Sequence, residues 1–534
     1  MGWPYAVSWT LRWLWLALGT ASLLAAAVLA CRPALLERAD AFFSRSSRAR
    51  AGLGAFFAVG AVLCAAAFKA AQYASFQTMG DTAAAVNMVW NFAHGHGLVD
   101  SLHAGESGLA FHFALILTLL APVLRVWNSA LVFPLAQGLA VGSAPFAVYL
   151  YARRVQRGWA LPALTGLLAF SSPLLHMSLY SMTDGSVFAL PLFLWMALAW
   201  ERESVIAAAL LTALYLTTRE QAVFLFFGAP LYWFVKRKSR RADVAPALAV
   251  MAAAAVAFAA EMAVIARARG PNPHLIHFWA TYSALGGSPR ELMTNALHRP
   301  WLFPLAAVYP WSKALLVART FLGAGAVSLA SGPALLPLLT IWAPQQLADS
   351  TALFHQLREH YAAFVAGPLL WTAALGIAEL LGPRRRIRAP FLAAWLLAVA
   401  GVNFLLCETS LLPAGTFPAA WNKAVPDALE HIPPGAKVWT DEYLSPQIAT
   451  RRYARILPLG ESVVFETALF LPDRVLMSLH WAARADPAYR DRILGFLRGR
   501  GFVPIFREED LVVWADPRRP DVDDGRVELV RLPP

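Results

Sequence analysis

Met79-Gly80-Asp81-Thr82, continued by Asn87-Met88-Val89-Trp90-Asn91-Phe92-Ala93-His94-Gly95-His96-Gly97 and closed by Phe111-His112-Phe113, is a polar stretch set between apolar ones. It gathers an acid, four histidines (His94, His96, His103 and His112), two asparagines and a Trp. A hydrophobic span ends just before it and another apolar stretch begins at its end, so it reads as a loop outside a bilayer. Loops held by a rigid scaffold carry a large share of functional side chains. If the protein does chemistry, this is where the sequence places it.

The chain around this stretch has 534 residues, of which 58% are hydrophobic and 15% charged. Its mean hydropathy is +0.51. Such a composition belongs to polytopic membrane proteins, and the 20 Trp and 32 Phe suit interfacial belts and helix packing. The formal charge of +12 comes from short basic clusters between apolar spans, which are topology signals and argue against a nucleic-acid partner. Cys31, Cys64 and Cys407 lie in or at the ends of apolar spans, with neither metal-ligand nor disulfide spacing.

Residues 11–31 form an apolar run with most of its charge behind it, from Arg32 to Arg50, which reads as an uncleaved helix with its N-terminus outside. Residues 52–72 cross back, leaving Asp81 outside. Further spans are predicted near 129–152, 159–176, 185–200, 204–217, 221–235, 244–265, 311–330, 333–348, 361–380 and 389–407. This gives about twelve crossings, with both termini outside. The clusters Arg153-Arg154, Lys236 to Arg241 and Arg384 to Arg388 then all fall inside. Several spans are shorter than the ~20 residues that cross a bilayer upright. The run 111–126 suits the interface.

The expected organisation is an extra N-terminal span with a basic loop over 1–51, a transmembrane domain over 52–407 with outside loops 73–128 and 266–310, and an extramembrane α/β domain over 408–515. Pro and Asp in 516–534 read as a disordered tail. The α/β reading rests on a helix at 425–431, strands at 437–440 and 474–477, a helix at 487–499 and a hairpin-like pair at 502–506 and 511–515. The 266–310 loop, rich in Pro, His, Trp and Tyr, reads either as an interfacial girdle or as a loop that closes over substrate. Gly-rich phosphate loops are missing, which argues against a cytosolic ATP site.

Single residues carry competing readings. Asp81, followed by Thr82-Ala83-Ala84-Ala85, reads as a helix N-cap or a catalytic acid. His94 and His96 have metal-ligand spacing, but a divalent ion would need His103, His112 or Asp81 as well. The alternatives are hydrogen bonds to substrate or loop backbone, or plain solvent exposure. Asp184 and Glu220 sit at outside helix ends, where acids are either caps or site residues. Arg358, Glu359, His360 and Tyr361 form another such cluster.

Four pieces together carry a family resemblance: Gly80-Asp81 through His112, Thr217-Thr218-Arg219-Glu220, His360-Tyr361 and the Pro433-Pro434-Gly435 turn. Over about 52–515 the chain resembles the bacterial membrane family called domain of unknown function 2079, itself similar to a branch of the GT-C integral-membrane glycosyltransferases. The extra span 11–31 departs from the usual pattern but keeps the acid loop outside. The resemblance implies a GT-C-like helical fold in a bacterial inner membrane, and transfer of a sugar from a polyprenyl-phosphate carrier at the outer face. It implies Asp81 as general base or metal ligand, with His94, His96, His112, Asp184, Glu220, His360 and Tyr361 as substrate-binding candidates. The leaving phosphate calls for cations at outside helix ends, hence Lys313 and Arg319. The expected partners are the lipid-linked sugar and membrane lipids. No cofactor is assigned, and a divalent metal stays open. The alternatives are a transporter or flippase of a lipid-linked substrate, with Arg319 and Glu261 as embedded charges, and a non-catalytic envelope scaffold.

Overall fold

The computed structural model describes residues 3–102, 106–110, 112–236, 244–269, 278–349, 357, 359–382, 387–407, 421–457, 469–479, 487–519 and 529–530. Among the described residues six helices are long and apolar enough to cross a membrane: Trp3–Cys31, Ser47–Ala74, Val132–Val155, Val244–Arg269, Val327–Leu347 and Ala362–Leu380. Ala160–Phe170 and Pro173–Tyr180 form a seventh candidate bent by 42°, where Ser171 and Ser172 interrupt the ladder and Pro173 restarts it. Gly185–Glu201, Val205–Leu216, Glu220–Val235 and Ala389–Leu405 are apolar but shorter, as is Trp311–Gly323 at 13 residues. Each predicted span thus falls on helix: among the described residues six or seven helices pass as crossings by length and composition alone, and shorter apolar helices fill the other predicted spans. Non-helical backbone at Asp184 and Arg219 sets an end of three of these shorter helices, Gly185–Glu201, Val205–Leu216 and Glu220–Val235.

The helices pack closely where side chains are small. A Cβ on Gly138 would lie 2.8 Å from the Ala66 backbone, so Val132–Val155 and Ser47–Ala74 touch almost backbone to backbone. The N-terminal helix Trp3–Cys31 packs along the last one, Ala389–Leu405, which ties the extra span into the bundle.

The stretch around Asp81, expected as a loop, is largely helical. Met79–Ala93 forms 15 residues of α-helix, with Thr78 at the N-cap position, its side chain making no capping bond, and Asp81 in the first turn. Asp81 is therefore not the N-cap. The Thr82-Ala83-Ala84-Ala85 run has high helix propensity, and an acid in the first turn complements the helix dipole. After Ala93 the chain turns through Gly95 and Gly97 into a two-residue ladder, β1 (Val99–Asp100) with β2 (Glu106–Ser107).

The C-terminal region holds a five-stranded sheet of β3 (Val438–Thr440), β4 (Ala454–Ile456), β6 (Arg474–Ser478), β7 (Val503–Glu508) and β8 (Leu511–Ala515), in spatial order β4-β3-β6-β8-β7. β4, β3 and β6 pair in parallel, and β8 pairs antiparallel with both β6 and β7. Helices Trp421–Glu430 and Pro487–Gly499 accompany them. Within the tail, β9 (Leu529–Val530) pairs with β5 (Leu469–Phe470), so at least that part of it is structured.

This domain shares its core with the Asp81 helix. Phe76, Val86 and Val89 pack in one buried cluster with Trp421, Val438, Leu476 and Leu511. Asn87 fixes the register: its amide donates to the carbonyls of Ala449 (2.9 Å) and Arg451 (2.8 Å). Its oxygen accepts from the backbone and hydroxyl of Ser101.

Candidate active site

Three breaks in apolar helices meet beside the Asp81 helix. In the first, Asp184 caps the 3-10 turn Gly185–Phe188, accepting from the Ser186 amide at 2.6 Å. In the second, Val205–Leu216 ends at Thr217, and Arg219 takes an extended conformation before the 3-10 turn Glu220–Phe224. In the third, the turn Glu359–Tyr361 precedes Ala362–Leu380. The segment holding His112 joins them through the Ile116 amide, which donates to the Thr217 carbonyl at 3.0 Å. Gly185 makes the convergence possible, because a Cβ there would stand 2.4 Å from the Thr218 carbonyl oxygen and 2.8 Å from Ala114.

Arg219 is the centre of the cluster and is 2% exposed. Its guanidinium lies 3.7 Å from the Asp184 carboxylate and 3.5 Å from that of Glu220. Both distances are longer than a hydrogen bond. Its carbon lies 5.1 Å from the centre of the Tyr361 ring, and its Nη2 donates to His112 Nε2. His112 in turn gives its Nδ1 proton to Glu220 at 3.1 Å, so the two contacts fit a neutral imidazole in one tautomer. The Phe113 amide satisfies the other oxygen of Glu220 at 3.1 Å.

Several donors remain. Nε and Nη1 of Arg219, and both ring nitrogens of His360, are buried without a hydrogen-bond partner. Orphaned polar groups of this kind are rare in folded proteins and call for an explanation such as an absent ligand. The electrostatics are strongly coupled. Burial acts to raise the Asp184 carboxyl, but His360, Arg219 and His112 together hold it well below the usual carboxylate range. Burial likewise opposes ionisation of Glu220, and His112 and Arg219 overcome it to bring that group to about 2. Burial dominates at His360 and pushes it down to about 4, with Arg219 adding to the effect and Asp184 and Asp81 opposing it. Asp81 is exposed, its charge acts on both His360 and Tyr361, and the next residue, Thr82, bonds the segment that carries Asp184.

Of the residues singled out in the sequence, His112, Asp184, Glu220, His360 and Tyr361 come together, with Asp81 close by. His94 and His96 do not. They sit exposed beyond the far end of Met79–Ala93, about 20 Å along the helix from Asp81. There His94 stacks on Trp90 with ring centres 4.1 Å apart and bonds its carbonyl at 2.8 Å. His103 and Arg358 lie outside the described residues. Among the described residues no three His, Cys, Asp or Glu side chains gather as a metal-ligand set.

Lys313 is buried with its ammonium donating to the carbonyls of Ala306 (2.7 Å), Gln346 (3.0 Å) and Ala348 (2.6 Å), which uses all three protons. Arg319 is exposed on Trp311–Gly323 and makes no ion pair with Glu261 among the described residues. Glu261 instead lies on a helix that packs against the Glu220 turn. Arg219 was legible only as part of Thr217-Thr218-Arg219-Glu220. Its central place depends on the chain folding back on itself. Sequence reasoning also missed the bond from the Thr183 amide to the Thr82 hydroxyl at 2.9 Å, which ties the Asp81 helix to the Asp184 segment.

ArnT from Cupriavidus metallidurans, crystallised in the apo state, aligns with a TM-score of 0.49 and 13% identity over 88% of this chain and 98% of that one. No curated protein matches the sequence. The family described as "Predicted membrane protein (DUF2079)" matches over residues 74–492, a range that holds the Asp81 helix, all three breaks and most of the C-terminal sheet. With well over half its length matched, the chain belongs to the DUF2079 family of membrane proteins.

Proposed function

We propose that this protein transfers a sugar from a polyprenyl-phosphate carrier to an acceptor at the outer face of a bacterial inner membrane, with Asp81 as general base. The observation that carries this reading is the Arg219 cluster. A buried guanidinium and a buried imidazole with unused nitrogens, next to an exposed carboxylate, suit an anionic leaving group on one side and a proton acceptor on the other.

In this scheme the phosphate of the lipid donor meets the charge of Arg219, whose Nε and Nη1 face Glu220 and Asp184, and takes a hydrogen bond from His360. Asp81 accepts the proton of the acceptor hydroxyl as its oxygen bonds to the anomeric carbon. The bond from that carbon to the phosphate oxygen breaks, and its electron pair stays on the carrier phosphate. Glu220 and Asp184 hold the guanidinium in place, and Glu220 fixes the tautomer of His112. The donors are placed beforehand, so the developing charge meets them without reorganisation.

The test is sugar transfer by the purified protein in lipid nanodiscs, supplied with a panel of polyprenyl-phosphate sugars. Asp81→Asn should lower turnover by ~10²–10⁴-fold while the protein still retains the carrier lipid. Unchanged turnover in Asp81→Asn would remove Asp81 from the chemistry. Absence of transfer with every donor would return weight to a transport or scaffolding role.

A further inference from the structure

The residues before 74, which precede the matched family range, build a second polar centre at the far end of the bundle. Ser47–Ala74 starts at that centre and ends just before the Asp81 helix. Its 28 residues put the two centres about 40 Å apart. After Trp3–Cys31 the chain turns at Pro33 into the helix Ala34–Arg45. There Leu35 and Leu36 pack on the buried cluster around Leu161. Phe42 is exposed, with Arg38 and Arg45 as its helical neighbours. Asp40 turns to the bundle, where its Oδ1 accepts from the amides of Trp159 at 2.6 Å and Ala160 at 2.8 Å. It thereby satisfies two free amides at the start of the helix Ala160–Phe170.

Trp159, fixed in this way, holds two cations. The guanidinium carbon of Arg50 lies 5.1 Å from the centre of its ring and that of Arg153 3.4 Å. Arg153 also donates to the Gly158 carbonyl. Both arginines are half-buried, and neither pairs with a carboxylate among the described residues. The stretches 32–50 and 153–159 contain eight arginines, with Glu37 and Asp40 as their only acids. Arginines that only set topology lie exposed, as Arg48, Arg154 and Arg157 do. Arg50 and Arg153 instead share one indole, whose ring attracts both while their like charges repel. An anion within reach of both removes that repulsion, and the planar guanidinium fork suits phosphate oxygens.

An apolar surface adjoins the pair. Phe56, Val59 and Leu63 are exposed along Ser47–Ala74, the helix that carries Arg50. A phosphate that arrives with acyl chains covers this surface, whereas a free phosphate leaves it bare. A zwitterionic headgroup would bring its own ammonium into the field of the arginines, so the net charge of the lipid decides. We infer that Arg50 and Arg153, held on Trp159, bind the phosphate of an anionic phospholipid whose chains lie along Phe56, Val59 and Leu63. The site is independent of sugar transfer. It makes the seating of the N-terminal segment depend on the charge of the bilayer.

The experiment is native mass spectrometry of the full-length protein released from nanodiscs of phosphatidylglycerol and phosphatidylcholine in equal amounts. The wild type should retain phosphatidylglycerol in preference, and Arg50→Gln/Arg153→Gln should lower that retention about tenfold. Arg48→Gln/Arg154→Gln removes the same charge from exposed positions and should change it by less than about twofold. Arg50→Gln alone leaves the bond from Arg153 to Gly158 in place. It serves if the double variant does not fold, and should lower retention about threefold or more. Equal retention of the two lipids by the wild type would overturn the inference. Equal losses in the two double variants would do the same, because they would show a diffuse attraction with no site on Trp159. Release of the lipid by millimolar inorganic phosphate would assign the arginines to free phosphate and overturn the lipid source.

Discussion

His360 is buried with neither ring nitrogen hydrogen-bonded, and this dictates a response to acid. Its imidazole is held down to about 4 against an ordinary 6.5, chiefly by burial. The unfolded chain therefore binds the proton more readily across that window, so stability rises with pH from 4 to 6.5 and is fully present above it. The size is on the order of 3 kcal/mol. Glu220 acts in the same direction at lower pH: its contribution is present above 4.5 and fades as pH falls toward 2. The apparent Tm in detergent should fall steadily between pH 7 and 4, and His360→Asn should flatten that fall. A slope unchanged in the variant would mean that the imidazole takes up its proton as readily in the folded chain as in the unfolded one. The cluster also distinguishes the cations. Native mass spectrometry of gently purified protein should find a bound polyprenyl phosphate in the wild type and in Arg319→Ala, and lose it in Arg219→Gln. Loss in Arg319→Ala instead would place the phosphate on the helix Trp311–Gly323.

At the scale of elements, the site depends on how closely three broken helices approach. Gly185 touches the Thr218 carbonyl where any Cβ would clash at 2.4 Å with backbone that cannot swing away. Gly185→Ala should separate Asp184 from Arg219, reducing transfer by at least tenfold while most of the bundle stays folded. Circular dichroism would verify the helices and a transfer assay the loss; wild-type turnover in Gly185→Ala would show that the segments have slack. The same breaks explain how far the sequence could be read. Apolar runs located every predicted span, and short strand-like runs set between helices and turns located β3, β6 and β8 within a residue or two, because hydrophobic patterning is local. The helix Met79–Ala93 was hidden by its polar side chains, which suggested a loop. Asn87 and Asn91 in fact point inward, buried against partners hundreds of residues away or across a turn. Lys313 was misleading for a related reason. A lone cation at a helix end suggests a free charge, and only the fold supplies the three carbonyls that take it up.

On the scale of the whole molecule, the membrane bundle and the C-terminal sheet are joined through the helix that carries Asp81. Lys69 shows how far this polar framework extends into the bundle: its ammonium bonds Gln72 and the Ser181 carbonyl, while Gln137 bonds Ser178, Ser181 and Thr183. Thr183 then meets Thr82, and a few residues on Asn87 meets the C-terminal domain. Asn87 is fully buried, and both ends of its amide are in use. Asn87→Asp keeps the shape but turns the donor into an acceptor facing the carbonyls of Ala449 and Arg451. Each buried group left without a partner costs roughly 1–3 kcal/mol, and an unpaired buried carboxylate costs more. The C-terminal domain should then loosen from the bundle, with a lower Tm and faster protease cleavage between 408 and 519 in intact membranes. Transfer should fall as well, because the register of the Asp81 helix is set by the same amide. If Asn87→Asp cleaves and melts like the wild type, the two parts are held by the shared apolar core around Trp421 alone. A protein that cleaves faster yet transfers sugar at the wild-type rate would mean that Asp81 keeps its place without the C-terminal domain.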